Sequence, residues 1–305
     1  MRILDFIAML IISLLLITGL YLLWQNLPGE NVKYKQYEAQ ISQDLPIKAG
    51  QFYSDMRYPD KEISYYLSIS CSSKKKTDFK EAVELIESKT ILNFVESTSN
   101  DAQITITCSN LAPEPQEEGH FIAGEGGPSI FLNTSRFAII MSGKIALYRP
   151  ETCGTPQIAT HELLHALGFD HNSNKESIMY PITNCGQKLD QYIIDDINNL
   201  YATPSLPDLE IESVQANQTG RYLNFDITIS NLGLKSMKEA TLEVLANSEL
   251  VKEFEIGEID VGAKRHLSVT NLRLPRNIDK IVLSAKTTQS ELSLDNNEVE
   301  IGPAN

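Results

Sequence analysis

The spacing of hydrophobic and polar positions changes twice along the chain. Residues 7–24 are almost uniformly apolar, residues 51–202 mix alternating stretches with helical spacing, and residues 207–302 contain only short alternating runs. Helical spacing of apolar residues indicates an amphipathic helix, and strict alternation indicates a half-buried strand. The pattern predicts an N-terminal transmembrane helix, an α+β domain and a C-terminal β-sandwich.

Boundaries are placed where this pattern changes. They give a cytoplasmic tip (1–6), a transmembrane signal-anchor (7–24), a stalk (25–50), an α+β domain (51–202), a proline-bounded linker (203–206) and a sandwich (207–302). The apolar run is longer than the core of a signal peptide and no small-residue cleavage site follows it, so we interpret it as an uncleaved anchor. A cleaved signal peptide is the alternative. Arg2 favours a cytoplasmic N-terminus, and Lys33 and Lys35, just beyond the apolar run, weaken that prediction.

Predicted elements within the α+β domain alternate between strands and helices. In chain order they are a strand at 63–71, a helix at 78–90 capped by Thr77 or Asp78, a strand at 103–108, a Gly- and Pro-rich loop at 119–128, strands at 129–133 and 137–148, and helices at 156–167 and 189–201. In the sandwich, alternating runs at 209–214, 223–229, 241–245, 267–269 and 281–285 are separated by turn signals.

Charge and cysteine usage narrow the functional class. The chain has 40 acidic and 26 basic residues and a net charge of −14, which disfavours binding to nucleic acid. Four cysteines fit an exported protein with two disulfides, and three pairings are possible. We favour Cys71 with Cys108 and Cys153 with Cys185, because each pair lies within one stretch of the α+β domain.

The candidate chemistry lies between residues 161 and 171. His161 and His165 are four residues apart, so on a helix their imidazoles share one face and can bind one ion. Gly168 permits a left-handed backbone that ends the helix and lets His171 approach the same ion. Three protein ligands with an open position are typical of a catalytic zinc site rather than a structural one. Glu162, on an adjacent face, is then the general base that takes a proton from a zinc-activated water, which predicts amide hydrolysis.

This sequence resembles the metzincin zinc endopeptidases, which carry H-E-x-x-H-x-x-G-x-x-H followed by a Met-turn. The turn is matched by residues 177–181, Ser-Ile-Met-Tyr-Pro, and by this motif and the helix at 195–201 the chain is most similar to the matrixins. The resemblance implies a twisted mixed sheet, an active-site helix, a C-terminal helix and one catalytic Zn²⁺. It also implies that Met179 lies beneath the histidines, with Pro181 and Gly168 supporting the site. Calcium binding is left undecided, and the matrixin cysteine switch is not found in the sequence.

The resemblance also suggests where a substrate would lie. Residues 124–128 and the following strand correspond to the upper rim of the family's cleft, although a plain surface turn is an equal alternative. The disulfide between Cys153 and Cys185 would tie the entrance of the active-site helix to one wall of the substrate pocket.

The last third resembles the CARDB-like, immunoglobulin-type modules of prokaryotic surface proteins. The resemblance rests on Pro-Asp-Leu-Glu-Ile at 207–211, Ser-Asn-Leu-Gly at 230–233 and Asp-Asn-Asn-Glu at 295–298. It implies a surface-protein or glycan partner for this part of the chain.

The leading hypothesis is a membrane-anchored zinc endopeptidase that cleaves extracytoplasmic proteins or peptides. Its first alternative is a surface adhesion or scaffold protein with a vestigial zinc site. A third possibility is zinc-dependent hydrolysis of a non-protein amide, such as a cell-wall cross-link.

Overall fold

The computed structural model describes residues 3–25, 31–39, 50–114 and 122–302. Predictions for residues 1–2, for the stalk at 26–30 and 40–49, and for the start of the loop at 119–121 lie outside these ranges. The helices and strands follow in chain order: α1 (Ile3–Gln25), β1 (Asn31–Lys33), β2 (Tyr37–Glu38), β3 (Met56–Arg57), β4 (Glu62–Leu67), α2 (Ser73–Lys89), β5 (Asn93–Glu96), β6 (Ile104–Cys108), β7 (Gly124–Asn133), β8 (Ala138–Leu147), α3 (Gln157–Ala166), α4 (Gln191–Ala202), β9 (Leu209–Thr219), β10 (Tyr222–Asn231), β11 (Met237–Ala246), β12 (Glu249–Ile259), β13 (Lys264–Arg273), β14 (Ile281–Thr287) and β15 (Glu298–Ile301).

Helix α1 is apolar on every side. Its stretch Phe6–Leu23 is long and hydrophobic enough to cross a bilayer, and none of that stretch is buried against the rest of the protein. Among the described residues it is the one helix with these properties. A membrane anchor and a signal sequence share this pattern.

The α+β domain is built on a mixed sheet with the strand order β3-β8-β6-β4-β5, and β7 pairs with β8. The neighbours within that order are parallel, and β7 is antiparallel to β8. Helix α3 packs against β7, β8 and α2, and its buried face joins the main core of the domain. The predicted α+β class and mixed sheet are thus confirmed.

Strand β7 corrects the predicted loop at 119–128. Residues Gly124 to Pro128 already pair with β8, so the strand begins five residues earlier than the alternation suggested. Glycine and proline are poor strand formers, but an edge strand tolerates proline, and the register of β7 shifts between Pro128 and Ile130.

Helix α2 also begins earlier than predicted. The cap is Ser72, whose hydroxyl accepts a hydrogen bond from the Lys75 backbone N–H at 3.4 Å, rather than Thr77 or Asp78. The additional turn places Lys75 in the interior, where its ammonium donates to the carbonyls of Ser109 and Leu147, both at 3.0 Å, and to that of Tyr148 at 3.1 Å. Lys75 therefore joins α2 to the ends of β6 and β8.

The C-terminal part is a sandwich of two sheets. One sheet has the order β1-β9-β10-β13, with β2 also on β9, and the other has the order β12-β11-β14-β15. Their inner faces share one hydrophobic core. The predicted sandwich is confirmed, while β12 and β15 were missed.

Part of the predicted stalk belongs to this sandwich. Strand β1 pairs with β9 from Asn31↔Thr219 to Lys33↔Asn217, and β2 continues with Tyr37↔Val214. Tyr34 and Tyr37 pack against the sandwich core. The segment 31–39 is therefore an added edge strand and not a free linker.

The two folded parts contact each other through the hairpin between β7 and β8. Phe137 and Ile139 form a buried apolar cluster with Leu234 of the sandwich. Beside it, Arg136 forms an ion pair at 2.6 Å with Asp208, whose carboxylate is buried.

The three motifs noted at 207–211, 230–233 and 295–298 lie beside one another, and the Ile211 N–H donates to the Asn296 carbonyl at 3.0 Å. The Asn231 side chain accepts from the backbone N–H of Asp208 at 3.1 Å and of Gly233 at 3.0 Å. A side chain at Gly233 would collide with the backbone of Leu206 and Asp208. These residues hold the linker against the sandwich.

Candidate metal centre and active site

Helix α3 carries the first two histidines and ends at a glycine. Gly168 has φ +98°, its N–H donates to the carbonyl of His165, and the Phe169 N–H donates to that of Leu164. These two bonds form a Schellman motif, which requires a left-handed residue at this position. The chain turns there, and His171 approaches the helix.

The three histidine side chains converge on one point. Their Nε2 atoms are separated by 3.0 Å (His161 and His165), 3.1 Å (His165 and His171) and 3.2 Å (His161 and His171). His161 and His165 are buried, whereas His171 is exposed. The residues that the sequence predicted as metal ligands are thus brought together.

Backbone carbonyls fix the orientation of the two buried rings. The Nδ1 of His161 donates to the Ile178 carbonyl at 2.6 Å, and the Nδ1 of His165 donates to the Phe169 carbonyl at 2.8 Å. Burial lowers the pKa of His161 to about 4 and that of His165 to about 3. A neutral imidazole that donates through Nδ1 has a lone pair at Nε2. Two lone pairs therefore face each other, and a cation between them would relieve their repulsion.

The spacing of these nitrogens suits zinc. Tetrahedral ligands about 2.0–2.1 Å from a zinc ion lie roughly 3.3–3.4 Å from one another, close to the separations observed here. Hydrogen bonds from the outer ring nitrogens to backbone oxygens are a usual support for histidine ligands.

Glu162 lies on helix α3, on the side that faces strand β7. Only 6% of its surface is exposed, and burial, assisted by the negative charge of Glu125, raises its pKa to about 8. A cation held by the adjacent histidines would favour the ionised carboxylate. A Cβ atom at Gly124 would lie 2.7 Å from the Glu162 side chain, and one at Gly126 would collide with its backbone. The two glycines allow β7 to lie directly against the helix.

The Met-turn lies behind the histidines. Met179 is fully buried, Pro181 is exposed, and the Ile178 carbonyl is the acceptor for His161. The Ser177 hydroxyl accepts from the Met179 N–H at 3.0 Å and donates to Asp190. The sequence did not reveal the contact between Ser177 and Asp190. Ser177 lies in the Met-turn, whereas Asp190 lies thirteen residues later, at the start of α4.

Both disulfides in the structure are the pairings favoured from the sequence, Cys71–Cys108 and Cys153–Cys185. The second connects the entrance of α3 to the loop at 182–190. Within that loop the buried Gln187 side chain donates to the Ile182 carbonyl at 2.9 Å, and Gln157 of α3 donates to the Gln187 carbonyl at 3.1 Å. The loop is therefore attached to α3 by a covalent bond and a hydrogen bond.

One further neighbour of the histidines was missed. The ring of Phe52 stacks on His165 with 5.7 Å between centroids, and the Phe52 N–H donates to the Gly168 carbonyl. The motif could not reveal it, because Phe52 lies at the start of the domain, more than a hundred residues before His165.

Comparison with known families agrees with this geometry. Residues 57–202 match the family model described as Matrixin, and residues 206–300 match the one described as CARDB. The chain carries a matrixin domain followed by a CARDB domain. The predicted resemblances are thereby confirmed, and the matrixin domain supports a zinc-dependent metalloendopeptidase. Matrixin domains are typically extracellular, which fits two disulfides.

The CARDB domain is also similar to a solved structure, the CARDB domain of the PF1109 protein from Pyrococcus furiosus in complex with di-metal ions. The identity is 17%, the match covers 31% of this chain and 84% of that chain, and the TM-score is 0.26.

Proposed function

We propose that the protein is a membrane-anchored zinc endopeptidase that cleaves extracytoplasmic proteins. His161, His165 and His171 hold the ion, and Glu162 transfers protons. The observation that carries the proposal is the convergence of three Nε2 atoms within 3.0–3.2 Å, two of them on rings whose Nδ1 atoms donate to backbone carbonyls.

A bound zinc ion supplies Lewis-acid polarisation of the scissile carbonyl and lowers the pKa of water. Glu162 accepts the proton of the attacking water and returns it to the leaving amine, which is the task of a general base and acid. Its burial and its contact with Gly124 hold the carboxylate in one place. A fixed base lowers the entropic cost of reaching the transition state.

Strand β7 supplies the peptide-binding edge. Among the described strands it pairs with β8 alone, so its other edge has unpaired backbone groups. An extended substrate can pair with that edge through main-chain hydrogen bonds. Gly124 and Gly126 place the edge against Glu162. Such backbone recognition favours proteins and peptides over other amides.

The test uses the purified full-length chain in detergent, with zinc measured by mass spectrometry and cleavage measured on a peptide library. We expect about one zinc per chain, as one three-histidine site requires. Glu162→Gln should keep the zinc and lose hydrolysis, whereas Glu176→Gln, a matched change at an exposed site nearby, should keep both. His171→Ala should lose zinc, and His266→Ala in the CARDB domain should not.

Full activity of Glu162→Gln would contradict the role of Glu162, and a wild-type chain without zinc would contradict the metal site. Zinc without peptide cleavage, but with cleavage of peptidoglycan fragments, would support the non-protein substrate. Zinc without any hydrolysis would support the surface-scaffold alternative.

A further inference from the structure

The CARDB domain is held close to the end of helix α1. The helix ends at Gln25 and strand β1 begins at Asn31. Six residue steps of extended chain cover at most about 22 Å. If α1 spans the bilayer, the last domain in the sequence is therefore the one nearest to the membrane.

The direction of pairing identifies which end of the sandwich faces the bilayer. β1 enters at Thr219, the C-terminal end of β9, and β2 ends opposite Ser213. The other end of β9, at Leu209, adjoins the contact between Asp208 and the matrixin domain. β9 has 11 residues. At about 3.3 Å per residue the strand extends roughly 36 Å, so the matrixin domain lies on the side of the sandwich away from the membrane.

Three connections form the end that faces the membrane, namely residues 219–222, 246–250 and 273–281. Strand registers bring them together, because Tyr222 is opposite Arg273 and Ala246 is opposite Ile281. Hydrogen bonds join them as well: the Asn247 N–H donates to the Lys280 carbonyl, and the Leu274 N–H donates to that of Arg221. We call these connections the basal surface.

The basal surface differs in charge from the rest of the chain. Its basic residues are Arg221, Arg273, Arg276 and Lys280, and its acidic residues are Glu249 and Asp279. Lys280 forms an ion pair at 2.6 Å with Glu300 of the adjoining strand β15, so the basic excess comes from the three arginines. This basic excess occurs in a protein with a net charge of −14. Two large apolar side chains are also exposed there, Leu250 at 56% and Tyr222 at 40%.

We propose that the basal surface binds the surface of an anionic bilayer. Arginine and lysine side chains attract acidic lipid headgroups, and exposed apolar or tyrosine side chains favour the headgroup region. The short connection between α1 and β1 keeps the basal surface within reach of the lipid. The positive charge of that surface is of the sign that attracts acidic headgroups. The bound sandwich then fixes the orientation of the matrixin domain relative to the membrane.

The experiment reconstitutes the full-length chain into vesicles and measures contact at single positions. All four cysteines are in disulfides, so Leu250→Cys provides one labelling site at the basal surface. Leu294→Cys, which is 70% exposed in wild type, provides a control near the matrixin domain, because the neighbouring Leu292 N–H donates to the Pro207 carbonyl. Quenching of a fluorophore by headgroup-labelled lipid reports contact in vesicles of phosphatidylcholine with or without phosphatidylglycerol.

We expect quenching at position 250 in vesicles that contain phosphatidylglycerol, with much less in pure phosphatidylcholine or at high salt. Arg273→Glu with Arg276→Glu should weaken the contact by at least about fivefold for each residue changed. The matched pair Lys238→Glu and Arg265→Glu, near the opposite end of the sandwich, should leave it unchanged.

Equal quenching at positions 250 and 294, or in neutral and anionic vesicles, would overturn the proposal. So would full quenching in the Arg273→Glu/Arg276→Glu variant. Flotation after alkaline extraction tests the anchor separately: if the chain leaves the vesicles, the premise fails and the proposal with it, whereas zinc content and cleavage are unaffected by that result.

Discussion

The buried ammonium of Lys75 provides a quantitative test of how the matrixin domain is held together. Lys75→Met keeps the length and apolar stem of the side chain but removes the donor to three carbonyls. The Leu147 carbonyl keeps a second donor, the Ser109 N–H at 3.2 Å. The carbonyls of Ser109 and Tyr148, both partly buried, lose the lysine donor.

An unsatisfied buried carbonyl costs about 1–3 kcal/mol, and partial access to water places these two at the lower end. The relief of ammonium desolvation offsets part of the loss. We therefore expect Lys75→Met to lower the free energy of unfolding by about 1–2 kcal/mol. For a domain of this size the melting temperature should fall by roughly 2–8 °C.

The assay is calorimetric unfolding of the full-length chain, with Lys76→Met as the matched control on the same helix. The control should change stability by less than about 0.5 kcal/mol. Amide hydrogen exchange should localise the loss to α2 and to the ends of β6 and β8. A gain in stability, or a loss no larger than that of the control, would refute the reasoning and show that desolvation of the ammonium cancels its hydrogen bonds.

Three further changes test other contacts. Gly126→Ala should separate β7 from α3 and lower both kcat/KM and stability, whereas Gly127→Ala, where a Cβ would meet no atom within 4 Å, should be silent in both assays; equal effects would contradict the close packing. Replacing Cys153 and Cys185 by Ala should lower the free energy of unfolding by about 3–4 kcal/mol, because the unfolded chain gains the entropy of the opened loop. Denaturant unfolding measures the change, and a loss below about 1 kcal/mol would contradict this stabilising role of the disulfide. Asp208→Asn should weaken the contact between the two domains by about 2–4 kcal/mol and separate their unfolding transitions in calorimetry, and a single unchanged transition would argue against this.

Local spacing was enough to predict the metal centre, because its parts lie within eleven residues. The helical spacing of His161 and His165 fixes their shared face, and Gly168 marks the turn that brings in His171. The structure brings the three together, although their role as ligands and that of Glu162 remain predictions. The fold class could also be predicted from local spacing, because apolar residues repeat at helical spacing in the helices and alternate in the strands.

Contacts between distant segments could not be predicted. Lys75 and Arg57 carry charged side chains of a kind that is usually exposed, yet each is buried and donates to backbone carbonyls of remote elements. Strand β12 was missed because it is an edge strand with both faces largely exposed, so its side chains show little alternation. The low strand propensity of glycine and proline concealed the strand at Gly124 to Pro128. Glycine is required there because β7 packs closely against helix α3.

If α1 anchors the chain in a membrane, the pairing of residues 31–39 with the CARDB domain bears on how the matrixin domain could be released from that anchor. Tyr34 and Ala39 donate backbone hydrogen bonds to Ala216 and Glu212, in addition to the paired strands. A protease that cuts the chain between residues 39 and 50 would leave the peptidase attached without a covalent link, through a strand that must first dissociate. A cut between residues 25 and 31 would release a complete ectodomain at once. The site of cleavage, and not cleavage itself, would then determine whether the enzyme stays at the membrane.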